Sequence, residues 1–313
     1  MSKFKLISTI KELPIEEGFS PGHGLCAGCT IPTIIRMVTK IAKGNIIVVS
    51  PTGCLEVSTS VYPTTAWKIP WIHVAFENAA AVASGVKSAF SVLKRKGMIV
   101  DDPFVVVIGG DGGTADIGIQ AMSGMFERQD KVTYICYDNE AYMNTGIQRS
   151  GATPYGAWTT TTPFGVKSIG KAVLKKDLFS IAIAHKVKYA ATVSIGYVND
   201  MLKKLSKALI NTPSFIHYLQ PCPTGWRFDP ALSVKIGKLA VQTGLWPLLE
   251  YENGKVKVTV SLTKRLPVTE YLKHQGRFKH LFKKYPQIIE ELQSHADELA
   301  EEYGFSPLVS TPI

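Results

Sequence analysis

The feature that most constrains this fold is the alternation of short apolar runs with longer stretches of helical character. Five runs rich in β-branched residues predict strands at residues 45–50, 103–109, 132–137, 190–193 and 214–219. Because these runs are apolar throughout, they are typical of strands buried on both faces. Stretches long enough for helices lie at 80–95, 115–129 and 198–211. This alternation predicts an α/β fold, a parallel sheet with helices on both faces.

The pattern changes after about residue 220. Four prolines between 221 and 247 interrupt the chain, and Asn253-Gly254 between two apolar runs predicts a hairpin turn. From Pro267 onward the sequence predicts one or two amphipathic helices. We therefore expect residues 1–219 to form the α/β domain and residues 220–313 to form a C-terminal appendage.

Composition excludes several classes of protein. With 45% hydrophobic and 19% charged residues, the chain has enough apolar surface to fold, which excludes a disordered, collagen-like or coiled-coil protein. No uncharged run reaches the ~18 residues of a membrane helix. Charged residues interrupt the N-terminal segment, so it does not resemble a signal peptide. We expect a cytoplasmic protein that does not bind membranes.

The net charge of +10 raises the question of an anionic partner. Nucleic-acid binding requires a basic face with interleaved aromatic residues or a recognisable module, and neither is evident near the motifs. Residues 254–284 contain nine basic residues and one acidic residue, and residues 285–303 then contain six acidic residues and no basic one. We hypothesise that the basic segment docks an acidic protein, and we expect no nucleic-acid partner.

A glycine-rich motif follows the second predicted strand. The sequence GGDGG, residues 109–113, precedes a predicted helix, whose free N–H groups suit a phosphate group. Asn139 follows the next strand, so Asp111 and Asn139 are expected at the carboxyl ends of two neighbouring parallel strands. Hard oxygen ligands in that arrangement suit Mg2+ bound to a diphosphate. The alternative is a tight turn followed by a helix cap.

The cysteines form a second set. Cys26 and Cys29 form a CxxC motif, while Cys54 and Cys222 each follow a predicted strand at the same sheet edge. Four thiolates there could hold a four-iron four-sulfur cluster or a zinc ion. The single CxxC and the spread of the ligands favour the cluster, with zinc left open. Cys136 lies within a predicted strand and is expected to be a small buried residue.

Together these residues resemble a known family. The resemblance is to the thiamin-diphosphate-binding β subunit of 2-oxoacid:ferredoxin oxidoreductases, most closely the pyruvate branch. It covers nearly the whole chain. It is carried by PGHGLCAGC (21–29), TGCLEV (52–57), AWKIPWIHVAFENAAAVASG (66–85), GGDGGTADIG (109–118), YDNEAYMNTGIQRSGATPYGAWTTTTP (137–163), QPCPTGW (220–226) and PVTEYLKHQGRFKHL (267–281).

The resemblance implies a cofactor set of thiamin diphosphate, Mg2+ and one 4Fe-4S cluster. The implied cluster ligands are Cys26, Cys29, Cys54 and Cys222, and the implied Mg2+ ligands are Asp111, Asn139 and the carbonyl group of Ala141. Asn144 would lie near the thiazolium ring and the substrate, as the catalytic polar side chain. The implied cofactor-binding residues are Cys54, Gly110, Asp111, Gly112, Gly113, Asn139, Ala141, Tyr142, Met143 and Asn144.

The implied activity is the reversible oxidative decarboxylation of pyruvate to acetyl-CoA and CO2 with reduction of ferredoxin. Thr30 follows the CxxC where many relatives have glycine, so oxalate or another 2-oxoacid stays open as the substrate. The chain shows only the half-site that binds the diphosphate. We expect sister subunits to supply a glutamate for the pyrimidine ring, substrate-binding residues and further clusters. The alternative from another class is a non-catalytic iron-sulfur electron-transfer subunit.

Overall fold

An eight-stranded, mostly parallel sheet is the centre of the fold, in a computed structural model that describes residues 5–306. The strand order is β10-β9-β7-β8-β4-β3-β1-β2, and β5 and β6 form a separate antiparallel pair. The strands are β1 (Ile46–Pro51), β2 (Trp71–Val74), β3 (Phe104–Gly110), β4 (Thr133–Asp138), β5 (Phe164–Gly165), β6 (Ser168–Ile169), β7 (Tyr189–Ser194), β8 (Ser214–Leu219), β9 (Leu249–Glu252) and β10 (Lys255–Val258). The outer ends of the two predicted parts, residues 1–4 and 307–313, lie outside the described residues.

Helices cover both faces of this sheet. The α-helices are α1 (Ile31–Ile41), α2 (Cys54–Val57), α3 (Ala79–Arg95), α4 (Ile119–Glu127), α5 (Leu178–Ala184), α6 (Val198–Ile210), α7 (Pro223–Trp226), α8 (Ser233–Gln242), α9 (Thr269–Leu272), α10 (Lys279–Lys284) and α11 (Pro286–Tyr303). Short 3-10 turns are Ile10–Glu12, Pro230–Leu232 and Gly276–Phe278, and Gly112–Ile117 is a π-helical turn. One core cluster packs α1 and α6 against the sheet, and a second packs α3, α4 and α5 against its other face. The predicted α/β fold class is therefore confirmed.

All five predicted strands are present, each within one residue of its expected bounds. They are β1, β3, β4, β7 and β8, whose side chains are almost entirely buried. The edge strand β2 was not predicted. Its four residues are partly exposed, so it lacks the continuous apolar run that marks a strand with two covered faces.

The predicted helix at 115–129 is divided in the structure. A π-helical turn spans Gly112–Ile117, and α4 begins only at Ile119. The backbone approaches itself closely at the junction, because a Cβ atom on Gly118 would lie 2.2 Å from the carbonyl oxygen of Gly113. π-Helical turns are frequent at functional sites, and this one directly follows Asp111.

The C-terminal part begins after β8. The predicted hairpin is present as β9 and β10, with Asn253 and Gly254 in left-handed conformations at φ 54° and 78°. Strand β9 pairs antiparallel with β7 and so extends the central sheet. A third core cluster is built mainly from residues 226–296. Across residues 5–306, no helix is both long and apolar enough to cross a bilayer.

Candidate functional site

Asp111 and Asn139 lie next to each other because their strands are neighbours. Strands β3 and β4 are parallel, with Gly110 opposite Tyr137, so the residues that follow them meet at one edge of the sheet. One terminal atom of the Asn139 amide lies 2.9 Å from Oδ1 of Asp111 and 2.9 Å from the carbonyl oxygen of Ala141. The structure thus brings the three predicted Mg2+ ligands together.

The chemistry of this trio fits a cation. If the Asn139 amide presents its nitrogen, it donates to both neighbouring oxygens. If it presents its oxygen, three oxygen atoms converge, and a positive ion between them would relieve their repulsion. Oxygen atoms from carboxylate, amide and backbone groups are the ligands that Mg2+ and Ca2+ prefer. Asp111 and Asn139 are both buried, so water competes little for these positions.

Among residues 5–306, no basic side chain forms an ion pair with Asp111 of the kind that Lys175 forms with Asp138. Burial raises the pKa of Asp111 well above its usual range, and the nearby carboxylate of Asp138 raises it further. Ser150 donates a hydrogen bond to its carboxylate. A buried carboxylate is costly unless it is paired with a positive charge or takes up a proton.

Close backbone packing surrounds the trio. A Cβ atom on Gly112 would lie 2.6 Å from the ring of Tyr142, whose hydroxyl group donates to the carbonyl oxygen of Gly112 at 3.2 Å. A Cβ atom on Gly110 would come within 3.2 Å of the Tyr137 ring. The glycines of GGDGG therefore allow aromatic side chains to lie directly against the backbone of this turn.

These residues line one open pocket of about 410 Å3. All ten predicted cofactor-binding residues contribute to it. Five lining residues were not predicted. Two of them, Thr52 and Gly53, directly precede Cys54. A third, Phe76, follows the unpredicted strand β2 and stacks on Tyr142 with ring centroids 5.7 Å apart. The full lining is Thr52, Gly53, Cys54, Phe76, Gly110, Asp111, Gly112, Gly113, Tyr137, Asn139, Ala141, Tyr142, Met143, Asn144 and Thr145.

The four predicted cluster cysteines lie at the same edge. Cys54 opens α2 after β1, and Cys222 caps α7 after β8. Burial, together with the negative charge of neighbouring thiols that include Cys222 and Cys26, raises the pKa of Cys29 and of Cys54 to about 12. The four thiol groups are therefore close enough to interact electrostatically. Cys136 is fully buried in β4, as predicted.

The cysteine set is not a preformed site for a single metal ion. Within the described ranges, no three side chains of His, Cys, Asp or Glu come close enough together to hold one ion. The Sγ atom of Cys222 accepts from the backbone N–H of Gly225 at 3.3 Å, and Cys29 Sγ accepts from Nε2 of Gln220 at 3.7 Å. Polar donors thus already point at two of the thiols.

A buried network of charges beneath the pocket was missed from sequence. Lys175 Nζ lies 2.9 Å from Oδ2 of Asp138 and 2.7 Å from Oε1 of Glu140, and Arg277 lies 2.5 Å from Oε2 of Glu140. His217 contacts Oδ2 of Asp138 at 2.8 Å. The only signal in the sequence was that Asp138 and Glu140 flank Asn139, because the basic partners lie far away along the chain.

Comparison with known proteins places the chain in a family. A model of the C-terminal TPP-binding domain of thiamine pyrophosphate enzymes matches residues 51–218. The chain is 51% identical over 298 residues to pyruvate synthase subunit PorB of Methanocaldococcus jannaschii, covering 94% of this chain and 99% of that protein. It is 49% identical over 290 residues to the PorB subunit of Thermotoga maritima, covering 90% of each.

The chain is also similar to a subunit of an oxidoreductase for another substrate and to a solved structure. The ketoisovalerate oxidoreductase subunit VorB of Pyrococcus abyssi is 46% identical over 299 residues, covering 93% of this chain and 96% of that protein. A chain of the 2-oxoglutarate:ferredoxin oxidoreductase of Magnetococcus marinus shares the fold with a TM-score of 0.55 at 18% identity, covering 91% of this chain and 99% of that chain. The chain therefore belongs to the thiamine pyrophosphate enzymes, and within them to the family of oxidoreductase subunits that includes PorB of pyruvate synthases.

Proposed function

We propose that this chain is the subunit of a pyruvate:ferredoxin oxidoreductase that binds thiamin diphosphate, Mg2+ and one 4Fe-4S cluster. The enzyme would convert pyruvate to acetyl-CoA and CO2, reversibly, with ferredoxin as the electron acceptor. The observation that carries this proposal is the convergence of Asp111, Asn139 and Ala141 in a pocket that also contains Cys54. The PorB relatives, named as pyruvate synthase subunits, support the choice of pyruvate.

The residues present fit the diphosphate end of the cofactor. Asp111, Asn139 and the carbonyl oxygen of Ala141 would hold Mg2+, and the backbone of Gly110 to Gly113 would approach the phosphate groups. Bound thiamin diphosphate supplies the carbanion chemistry that decarboxylation of a 2-oxoacid requires. Phe76 and Tyr142 stack beside the pocket, where they would exclude water. Asn144 lines the pocket, and we assign its amide to substrate positioning.

The cysteines fit a cluster better than a zinc ion. Zinc binds thiolates at about 2.3 Å, which would bring all four sulfur atoms around one point. The four thiols interact with one another, and only Cys26 and Cys29 form a CxxC motif, whereas structural zinc sites commonly use two such motifs; this supports a cluster held by four cysteines. Since Cys54 also lines the thiamin pocket, a cluster held by this set would be a close neighbour of the cofactor.

The site is complete only with other chains. None of the described residues that line the pocket is a glutamate, although thiamin chemistry requires one at the pyrimidine ring. Sister subunits would supply that glutamate together with the substrate-binding residues and further clusters. Coenzyme A and ferredoxin complete the set of proposed partners.

The experiment is to purify the intact complex and measure thiamin, magnesium and iron for each copy of this chain. Asp111→Asn should lower the affinity for Mg2+ and thiamin diphosphate by at least about tenfold while iron is retained. Cys222→Ser should lower iron and the reduction of ferredoxin while thiamin is retained. Cys136→Ser and Asp102→Asn, outside the pocket, are the matched controls and should retain all three.

Several results would overturn this function. A complex that contains iron but no thiamin would support the alternative, a non-catalytic electron-transfer subunit. Full iron content and full ferredoxin reduction after Cys222→Ser would remove the cluster assignment. A panel of 2-oxoacids tests the substrate, because the VorB relative is nearly as similar as the PorB relatives. Faster turnover of ketoisovalerate or oxalate than of pyruvate would contradict the choice of pyruvate.

A further inference from the structure

The backbone between two of the proposed Mg2+ ligands has an unusual conformation. Glu140 lies between Asn139 and Ala141 and has φ of 68°. A left-handed conformation costs a residue with a side chain about 1–2 kcal/mol, so it persists only where the surroundings hold it. In this conformation one terminal atom of the Asn139 amide lies 2.9 Å from both Oδ1 of Asp111 and the carbonyl oxygen of Ala141.

Three hydrogen bonds hold the backbone of this segment. The backbone N–H of Glu140 donates to Oδ1 of Asp138 at 3.0 Å, and its carbonyl oxygen accepts from the hydroxyl group of Thr153 at 2.7 Å. The carbonyl oxygen of Asn139 accepts from the indole N–H of Trp226 at 2.7 Å. The peptide groups on both sides of Glu140 are therefore fixed in orientation.

The side chain of Glu140 is fixed as well. It is buried, and its two carboxylate oxygens bind Lys175 at 2.7 Å and Arg277 at 2.5 Å. The guanidinium group of Arg277 lies over the Trp226 ring at 3.9 Å, and its Nε donates to Gln275 at 2.9 Å. Rotation of the Glu140 side chain would break these ion pairs and leave a buried charge without a partner, so the side chain is held in place.

Trp226 connects this unit to the cysteine set. Its backbone N–H donates to the carbonyl oxygen of Cys222 at 2.9 Å, while its indole N–H donates to Asn139. One residue therefore contacts the loop of a proposed cluster ligand through its backbone and the loop of a proposed cation ligand through its side chain. Glu140, Arg277 and Trp226 form a continuous support behind the pocket.

We infer that Glu140, held by Arg277 and Lys175 and supported by Trp226, is a positioning residue for the Mg2+ site. It keeps the Asn139 amide within reach of both Asp111 and the carbonyl oxygen of Ala141. The inference rests on the proposed function, since it concerns the same cation. Partners of this kind that orient metal ligands are worth about 10- to 100-fold in metal affinity.

The test is Glu140→Gln in the assembled enzyme, with Mg2+ affinity measured by titration calorimetry and Mn2+ affinity by electron paramagnetic resonance. We expect metal affinity to fall at least about tenfold, with iron content unchanged and activity restored at saturating Mg2+. The matched control is Glu250→Gln, which also removes a buried carboxylate that binds two lysines but lies outside the pocket. That control should leave Mg2+ affinity unchanged.

Trp226→Phe is the second variant, and it decides the matter if Glu140→Gln does not assemble. It removes the indole N–H that donates to Asn139 and keeps an aromatic ring beneath Arg277, so Mg2+ affinity should again fall. Unchanged Mg2+ affinity in the assembled variants would overturn the inference, as would an equal loss of iron and Mg2+. A wild-type complex that binds neither Mg2+ nor thiamin would instead refute the proposed function.

Discussion

Two buried carboxylates beside the pocket differ in what neutralises them. Asp138 lies 2.9 Å from Lys175 and 2.8 Å from His217, and these basic groups lower its pKa although burial acts to raise it. Asp111 accepts a hydrogen bond from a neutral hydroxyl group, and its pKa is raised by burial. Asp138 ends β4 and Asp111 follows the adjacent strand β3, and the proposed Mg2+ would neutralise Asp111 as Lys175 neutralises Asp138.

At this scale, Glu250 predicts how stability depends on pH. Although burial acts to raise its pKa, hydrogen bonds from Lys207, Lys257 and Tyr189 lower the pKa of Glu250 to about 2. A folded-state pKa below the unfolded value of 4.5 means that its stabilisation is present above about pH 4.5 and is lost as pH falls toward 2.

We expect the free energy of unfolding of Glu250→Gln to lie about 2 kcal/mol below wild type at pH 7. The difference should shrink as pH falls from about 5 to 2. Denaturant unfolding of both proteins across this pH range checks the prediction. A difference that stays constant with pH would show that the loss is one of packing and not of charge.

Among the secondary-structure elements, two glycines differ in whether their backbone conformation needs glycine. Gly254 ends the hairpin turn with φ of 78°, whereas Gly85 lies exposed within α3, and a Cβ atom on either residue would meet nothing within 4 Å. Space is therefore equal at the two positions, and only the backbone conformation differs.

Alanine at these two positions should have opposite effects. Gly254→Ala should destabilise the protein by about 1 kcal/mol, because a side chain disfavours the left-handed conformation. Gly85→Ala should stabilise it by about 0.5–1 kcal/mol, because glycine weakens a helix. Thermal unfolding of the two variants beside wild type measures both signs. A shift in the same direction for both would contradict the conformational argument.

At the level of the whole molecule, the basic residues of segment 254–284 differ in their exposure to solvent. Arg265 and Arg277 are buried in ion pairs with Asp297 and Glu140, so neither can contact a partner. The other seven basic residues are exposed. Any docking surface for an acidic protein therefore depends on lysines alone.

Reversing the charge of the three lysines of α10, Lys279, Lys283 and Lys284, tests this surface. If it docks ferredoxin, the apparent KM for ferredoxin should rise several-fold at low salt, and the difference should fade at high ionic strength because salt screens exposed charges. Steady-state kinetics at several salt concentrations measure both. The matched control reverses three exposed lysines elsewhere, Lys96, Lys131 and Lys203. An equal effect in both triple variants would exclude specific docking on α10.

Elements with a local sequence signal could be predicted before the structure was known. A buried parallel strand is apolar along its whole length, so β1, β3, β4, β7 and β8 could be read directly. Neighbouring parallel strands end at the same edge of a sheet, so the positions of Asp111 and Asn139 after β3 and β4 were enough to predict that they lie close together. The resemblance supplied the other eight predicted cofactor-binding residues, and all of them line the same pocket, whereas five further lining residues were not predicted.

The distant side chains that contact Glu140 became visible only in the folded chain. Lys175 and Arg277 reach Glu140 from 35 and 137 positions away, and no local period marks such a pairing. The π-helical turn after Asp111 and the left-handed Glu140 likewise depend on close packing of backbone from separate elements. The pattern of apolar residues along a segment indicates which face of its helix or strand is buried. The partner of a buried charge is set by how the whole chain packs, because that energy arises only once distant segments meet.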